Sequence, residues 1–321
     1  MAVIQARNLT KKFGELTAVS KLNLDINEGE VFGLLGPNGA GKTTTLSMLS
    51  TLLLPTEGSA SVNGFDISKE ASKVRHSIGF VFQDPSSDDL LTGRENLYLH
   101  ALMYGVNMRQ ANKKMDEVLR LVNLSDKQHQ RMRTYSGGMR RRLELARGLL
   151  HEPKVLFLDE PTLGLDPQTR ENLWGYIKKL SREKKVTIII TTHYMEEADM
   201  LCDRLAIIDH GKIVALDTPA NLKKLLGGDV VKLKIKKPKL AAVRKLKFVK
   251  KVRQDGEIVT LTVQDAGKHL QEILRHIGNV ESVESRVPTL NDVFIYFTGS
   301  EIREQEGEGG FFERMIRRGN K

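Results

Sequence analysis

The sequence predicts an α/β fold in which a mainly parallel sheet is covered by helices on both faces. Apolar runs of strand length alternate with longer segments of helical period along most of the 321 residues. Some of these runs, such as VLFLD and VTIIITT, are continuously apolar, which is typical of strands buried on both faces. A glycine-rich turn joins one further strand directly to a helix.

The first part of the chain is predicted to form strands. Three short runs, VIQARNL, TAVSKLNLDI and EVFGLL, are separated by polar turns such as NEGE. We predict a helix over residues 42–53, because its periodicity begins directly after the glycine-rich turn. The runs GSASVNG and SIGFVFQ predict two more strands.

From about residue 84 to residue 151 the period becomes helical, which predicts a helical insert. Its candidate helices are ENLYLHALMYGV, QANKKMDEVLRLVNL and GGMRRRLELARGLL. Strands return at VLFLD, VTIIITT and RLAIID. The segment QTRENLWGYIKKLSRE predicts a helix between the first two of them, as a parallel sheet requires.

We predict a domain boundary near Gly228, so that residues 1–228 form one domain. Residues 229–299 contain four strand-like runs and one helical segment, which predict a small α+β domain. Residues 300–321 are polar and glycine-rich and predict a tail. Helical spacing would place four apolar residues of this tail on one face, which could contact a membrane or a second copy of the chain: Phe311, Phe312, Met315 and Ile316. The alternative is that the tail is unstructured.

The net charge of +10 is concentrated in one segment. Between Lys232 and Arg253 the sequence contains eleven basic residues and no acidic residue, so the remainder is close to neutral. Three of these lysines alternate with Leu233 and Ile235, which predicts the solvent face of a strand. Three explanations stay open: a solvated edge strand protected by lysines, attraction to anionic lipid, or binding of nucleic acid.

Cysteine content and hydropathy indicate a cytoplasmic protein. A single cysteine, Cys202, excludes an internal disulfide, and we expect it to be a small core residue. The first residues lack the apolar segment of a secretory signal. No apolar stretch approaches the roughly 20 residues of a membrane span.

The segment from Gly36 to Thr43 has the composition of a phosphate-binding loop. It follows the strand EVFGLL and begins a helix, which is the context such a loop requires. Glycines let amide N–H groups converge on phosphate oxygens, and the helix N-terminus adds positive potential. Lys42 can reach the β- and γ-phosphates, and the Thr43 hydroxyl can bind Mg²⁺.

Two acidic residues end the apolar strand VLFLD. Packing gives no reason to place carboxylates there, because an unpaired buried carboxylate is costly. Asp159 is suited to holding Mg²⁺, and Glu160 is suited to orienting and deprotonating a water molecule. A serine followed by two glycines, Ser136, Gly137 and Gly138, predicts either a plain helix cap or a further anion-binding helix start.

These motifs, in this order, resemble the ATP-binding subunit of ABC transporters. The segments are GPNGAGKT, Gln83, YSGGM, VLFLDE, GLDP and TTH. The resemblance implies a P-loop NTPase fold, with an antiparallel β subdomain and a helical insert. Further likeness to daunorubicin-resistance-type multidrug exporters is carried by LTGRENL, THYMEEADMLCDR and PTLNDVFIYFTG.

The resemblance also implies a role for each site residue. Catalysis would involve Glu160, Gln83 and the switch histidine His193, and Mg²⁺ would be held by Thr43, Gln83 and Asp159. ATP would contact the Walker A loop and its helix, an aromatic ring that stacks on adenine, the signature and the D-loop. These residues are Gly36, Pro37, Asn38, Gly39, Ala40, Gly41, Lys42, Thr43, Thr44, Phe13, Ser136, Gly137, Gly138 and Asp166.

In the family that the chain resembles, each ATP lies between the phosphate loop of one subunit and the signature of another, so the resemblance implies an ATP-bound homodimer. It also implies a location at the inner face of the cell membrane. The transported drug, lipid or other amphiphile would cross through a separate membrane permease, docked on the helical insert. Arg94 and Glu95 would pair with that partner or cap their own helix. The first signature position is Tyr135 and the last is Met139, where the family usually has leucine and glutamine.

Two other functions are weighed against transport. ABC-type ATPases also act on nucleic acid, and the basic run favours such a role, but the chain lacks zinc-binding cysteines, long coiled coils and a second ATPase domain. We therefore expect no nucleic-acid partner. A regulatory binding module is the other alternative, and the complete set Asp159, Glu160 and His193 argues against it.

Overall fold

A computed structural model describes residues 2–299. Within these residues the chain forms two compact units, which divide between Leu216 and Asp217. The predicted tail at 300–321, with Phe311, Phe312, Met315 and Ile316, lies outside the described residues.

The first unit contains two sheets and seven α-helices among the described residues. The strands are β1 Ala2–Phe13, β2 Leu16–Asn27, β3 Val31–Leu35, β4 Glu57–Val62, β5 Phe65–Asp66, β6 Ile78–Val81, β7 Val155–Asp159, β8 Thr187–Thr192, β9 Arg204–Asp209 and β10 Lys212–Asp217. The helices are α1 Lys42–Leu49, α2 Ala71–Ser77, α3 Gly93–Met103, α4 Met108–Leu121, α5 Gly137–Leu149, α6 Pro167–Lys184 and α7 Met195–Leu201.

The larger sheet confirms the predicted parallel architecture. Its strand order is β10-β9-β3-β8-β7-β6, and the pairs from β9 to β6 are all parallel. Every residue of β3, β7 and β8 is buried, as their continuous apolar composition predicts. A second sheet, β2-β1-β4-β5, is antiparallel and packs its apolar face into the same core.

The helical insert follows β6 and is built from α3, α4 and α5. A capping box begins α3, in which Thr92 and Glu95 bond each other's backbone N–H groups. Glu95 therefore caps its own helix, one of the two predicted alternatives. Arg94 pairs within the insert, with Nη1 2.6 Å from a carboxylate oxygen of Asp116 on α4.

The second unit confirms the predicted α+β class. Its elements are α8 Pro219–Lys224, β11 Asp229–Lys234, α9 Leu240–Val243, β12 Val249–Asp255, β13 Ile258–Val263, α10 Ala266–Ile277, β14 Ser282–Arg286 and α11 Leu290–Thr298. The sheet β12-β13-β11-β14 is antiparallel throughout. One face of it forms a core with α10.

The start of the second unit lies earlier in the chain than Gly228. The sequence TP at residues 218–219 begins α8, and α8 packs against α11 within the second unit. A Cβ on Gly228 would lie 2.3 Å from the carbonyl oxygen of Val263 on β13. The glycine at the expected boundary therefore permits close approach to a strand of the same unit.

Five of the eleven residues of the basic run lie on strands β11 and β12 of the second unit's sheet, and the other six lie in turns and loops. Leu233 and Ile235 are buried, whereas Lys232, Lys234 and Lys236 are exposed, which confirms the predicted alternation. Lys234 and Lys236 lie 3.1 and 3.4 Å from the carboxylate of Glu281. However, β11 lies between β13 and β14, so the expectation that its lysines protect a sheet edge is wrong. An edge strand that does carry basic residues is β12.

Cys202 lies in the core, as the sequence predicts. Cys202 is a buried free thiol, and burial raises its pKa well above the usual range. Between residues 2 and 299 no helix combines the length and apolarity needed to cross a membrane.

Candidate functional site

The phosphate-binding loop connects the end of β3 to the start of α1. Its curvature depends on glycines, because Gly39 and Gly41 have φ angles of 82° and 104°, in the left-handed region that side chains disfavour. A Cβ on Gly41 would lie 2.5 Å from the backbone oxygen of Ala18 on β2. The loop is therefore held in this shape by both conformation and close packing.

Lys42 is the first residue of α1, and only 4% of its surface is exposed. Its Nζ donates hydrogen bonds to the carbonyl oxygens of Gly36 and Pro37, at 2.8 and 3.1 Å. These bonds direct the ammonium group over the loop, where it can neutralise phosphate charge.

The carboxyl ends of β3, β8 and β7 bring the remaining groups beside this loop. Because these three strands are parallel neighbours, their C-terminal ends lie at one edge of the sheet. Asp159 ends β7, and its Oδ1 accepts hydrogen bonds from Thr43 and Thr191 at 3.1 and 2.5 Å. Burial raises the pKa of Asp159, and the neighbouring charge of Glu160 adds to this effect.

Glu160 follows β7 directly, and its carboxylate lies close to the side chains of Lys42 and His193. Its Oε1 is 3.5 Å from Lys42 Nζ and 3.3 Å from His193 Nδ1, the latter just beyond β8. Burial raises the pKa of Glu160, but the polar contact with His193 and the charge of Lys42 outweigh it, so the net pKa is lowered. The carboxylate is therefore ionised at neutral pH.

The backbone of Glu160 is strained. Its φ angle is 44°, in the left-handed region, where a non-glycine residue costs about 1–3 kcal/mol. Its N–H bonds the carbonyl oxygen and the Oγ1 of Thr191, at 3.2 and 3.0 Å. Thr191 thus contacts both acids, a role that sequence reasoning missed. Its signal is the same as for Asp159: a polar residue that ends an apolar strand.

Comparisons with known proteins show which family the chain belongs to. The ABC transporter family matches residues 19–163, and the family of DrrA1-3-like ATP-binding protein C-terminal domains matches residues 218–298. The linearmycin resistance ATP-binding protein of Bacillus subtilis is 38% identical over 312 residues, covering 94% of this chain and 100% of the relative. The chain belongs to the ATP-binding proteins of ABC transporters.

Two further comparisons support the same family. A daunorubicin resistance ATP-binding protein of Streptomyces coeruleorubidus is 40% identical over 303 residues, covering 92% of this chain and 96% of the relative. A solved dimeric ATP-binding cassette in a post-hydrolysis state, bound to ADP and Pi, superposes with a TM-score of 0.61 at 30% identity. That match covers 67% of this chain and 98% of the cassette. The chain is thus an ABC ATPase related to drug-resistance ATP-binding proteins.

The predicted ABC signature lies at the start of α5, where Ser136 is the N-cap residue. Ser136 caps this helix by accepting the N–H of Met139 at 3.3 Å, and both Ser136 and Gly137 are exposed. A Cβ on Gly138 would lie 2.3 Å from the Thr169 side chain on α6. The serine and first glycine are therefore accessible to a ligand or partner, while the second glycine permits packing.

The unusual first residue of the ABC signature has a structural explanation. Tyr135 is buried, and its hydroxyl donates a hydrogen bond to the Lys127 carbonyl oxygen at 2.7 Å. A Cβ on Gly93, at the start of α3, would lie 2.4 Å from that hydroxyl. The tyrosine of YSGGM and the glycine of LTGRENL are therefore complementary in size.

Gly93→Ala is expected to lower the free energy of unfolding by about 1–3 kcal/mol. The added methyl group would displace the Tyr135 hydroxyl, which is held in place by its hydrogen bond to Lys127. Adding Tyr135→Phe should recover part of the loss. Thermal unfolding checks both variants. The control is Gly175→Ala on α6, where a Cβ meets no atom within 4 Å and helix propensity predicts a gain. Equal losses with and without the hydroxyl would contradict the explanation.

The remaining predicted ABC site residues lie at or near the ends of strands and helices or in the phosphate-binding loop. Phe13 is 36% exposed at the end of β1, where it pairs with Leu16 on β2. Gln83 is partly buried, two residues beyond β6. Asp166 is exposed and caps α6 by accepting the N–H of Thr169 at 3.0 Å. In the loop, Asn38 is exposed and Ala40 buried; on α1, Thr44 is partly buried.

Proposed function

We propose that this ABC ATPase works as a homodimer that binds two ATP molecules and powers export through a separate membrane subunit. The observation that carries the proposal is the convergence of Lys42, Thr43, Asp159, Glu160 and His193 at one sheet edge, with Ser136 and Gly137 exposed on another element. Each ATP would lie between the phosphate loop of one subunit and the signature of its partner. Two helix N-termini would then face the triphosphate from opposite sides.

The residues divide the chemistry among them. Lys42 and the loop amides bind the β- and γ-phosphates, and Phe13 stacks on adenine. Glu160 orients the attacking water and accepts its proton; because its pKa is lowered, orientation is its larger contribution. His193 holds the γ-phosphate and positions Glu160, which lies 3.3 Å from its Nδ1.

The donor set beside the loop fits Mg²⁺. Thr43 donates its hydroxyl proton to Asp159, which leaves an oxygen lone pair for the cation, and the buried carboxylate supplies negative charge. Gln83 would complete the protein's contribution with an amide oxygen. When bound, the ion would neutralise charge that develops on the phosphate oxygens.

The exposed face of α3 is proposed as the docking surface for the membrane subunit. Four large apolar side chains on this helix are exposed, although the opposite face is buried. They are Tyr98, Leu99, Leu102 and Met103. An apolar patch of this kind is typical of a protein interaction site.

A polar network connects the segment between Gln83 and α3 to α5. Glu144 on α5 accepts hydrogen bonds from the N–H and hydroxyl of Ser86, at 3.3 and 3.2 Å, and from the hydroxyl of Ser87. Arg147 reinforces this link by donating to Ser86 Oγ at 2.9 Å. The segment that joins Gln83 to α3 is therefore tied to the helix that the signature begins.

The cargo is proposed to be a drug, lipid or other amphiphile. The support is the identity of 38–40% to proteins named for resistance to linearmycin and daunorubicin. The subunit would then act peripherally at the inner face of the cell membrane, next to its permease.

A Leu99→Glu, Met103→Glu variant is expected to lose co-purification with the membrane subunit, because two carboxylates would be buried at the interface. ATP hydrolysis by the isolated subunit should not change. Leu54→Glu is the matched control, since Leu54 is 63% exposed on a different surface. Retained co-purification in the α3 variant, or equal loss in the control, would contradict the docking assignment.

A further inference from the structure

Arg141 on α5 is a buried cation that the proposed chemistry does not use. It is the fifth residue of the signature helix, and only 5% of its surface is exposed. Burial lowers its pKa, which reflects the cost of keeping a guanidinium group away from water. A charged side chain in such a place requires several hydrogen-bond partners.

Those partners are backbone carbonyls on two segments of the site. Nε donates to Pro161 at 2.5 Å, Nη2 donates to Glu160 at 2.8 Å and, more loosely, to Asp159 at 3.4 Å. Nη1 donates to Phe82, the residue before Gln83. One guanidinium group therefore connects the segment that follows β7 to the segment that follows β6.

The contact with Glu160 coincides with its left-handed backbone. Thr191 fixes the N–H of Glu160, as described above, and Arg141 fixes its carbonyl oxygen. The two bonds hold the peptide groups on both sides of the strained residue. The direction of the Glu160 side chain follows from that backbone conformation.

We propose that Arg141 is a positioning residue, which holds the strained backbone of Glu160 so that its carboxylate faces the phosphate loop. This inference rests on the proposed role of Glu160. Lysine cannot substitute for Arg141, because a single ammonium group cannot reproduce the planar fork of donors that spans two segments.

Arg141→Lys is expected to lower kcat by roughly 10–100-fold, because small displacements of a reacting group are costly. The KM for ATP should stay within about twofold, since no phosphate-binding contact is altered. Steady-state ATPase assays measure both. Arg142→Lys is the matched control: Arg142 also donates to two backbone carbonyls, of Val122 and Asn123, each at 3.0 Å, but within the insert. Its kcat should not change.

Combining Arg141→Lys with Glu160→Gln tests whether the arginine acts through the glutamate. If it does, the double variant hydrolyses ATP at the rate of Glu160→Gln alone, because residues that act as a unit are non-additive. A further 10–100-fold fall in the double variant would overturn the proposal. Should Glu160→Gln alone keep the wild-type rate, the proposed role of Glu160 fails, which is a different outcome.

Thermal unfolding tests the strain directly and does not depend on the chemistry of Glu160. Arg141→Lys should lower the Tm less in a Glu160→Gly background than in a Glu160→Gln background, because glycine adopts φ 44° readily. If Arg141→Lys alone does not fold, Glu160→Gly should restore folding. Equal Tm losses in the two backgrounds, or no restored folding, would overturn the proposal.

Discussion

Replacing Glu160 by glutamine is expected to slow ATP hydrolysis by roughly 10²–10⁴-fold, while ATP binding is retained. The amide keeps the size of the side chain but lacks the negative charge that orients the attacking water and accepts its proton. Binding persists because the loop amides and Lys42 are unchanged. A coupled assay of phosphate release measures the rate, and titration with a fluorescent ATP analogue measures binding.

The control for this variant is Glu144→Gln, a buried glutamate on α5 that contacts Ser86, Ser87 and Arg147, not Lys42 or His193. Loss of the Glu144 carboxylate charge is expected to lower the free energy of unfolding more than it slows ATP hydrolysis. A Glu160→Gln rate within threefold of the wild type would contradict the assignment of Glu160.

Replacing Lys42 by methionine is expected to weaken ATP binding by about 30–5,000-fold. Methionine preserves the apolar stem but removes the buried ammonium group, and truncating one partner of a buried charge pair costs about 2–5 kcal/mol. Equilibrium titration with the same analogue measures the Kd.

Lys73→Met is the matched control, because Lys73 is an exposed lysine on α2 whose ammonium group lies 2.9 Å from Glu70. Such a surface ion pair contributes little, so the Kd should not change. A Lys42→Met protein that binds ATP with the wild-type Kd would contradict the loop assignment.

The sequence was most informative where a local pattern had one physical explanation. The glycines before Lys42 predicted the phosphate-binding loop, and the two acids after an apolar run predicted the end of β7. The structure brings Lys42 close to Glu160 and Thr43 close to Asp159. Continuous apolar runs likewise predicted the parallel strands β7 and β8.

Contacts between distant segments could not be predicted in this way. Three consecutive arginines, Arg140, Arg141 and Arg142, have equal local signals, yet only Arg141 among them is buried. Its partners at Phe82 and Glu160 depend on tertiary packing. The short helix α8 was missed because six residues give little periodicity, and this placed the expected boundary too late in the chain.

The molar mass of Glu160→Gln, measured by light scattering with saturating ATP and Mg²⁺, tests directly whether two subunits share the nucleotide sites. We expect twice the mass of the 36.1 kDa chain, because ATP joins two subunits and slow hydrolysis prevents their release. Without nucleotide, the single-chain mass is expected. A single-chain mass at saturating ATP would contradict the shared nucleotide site.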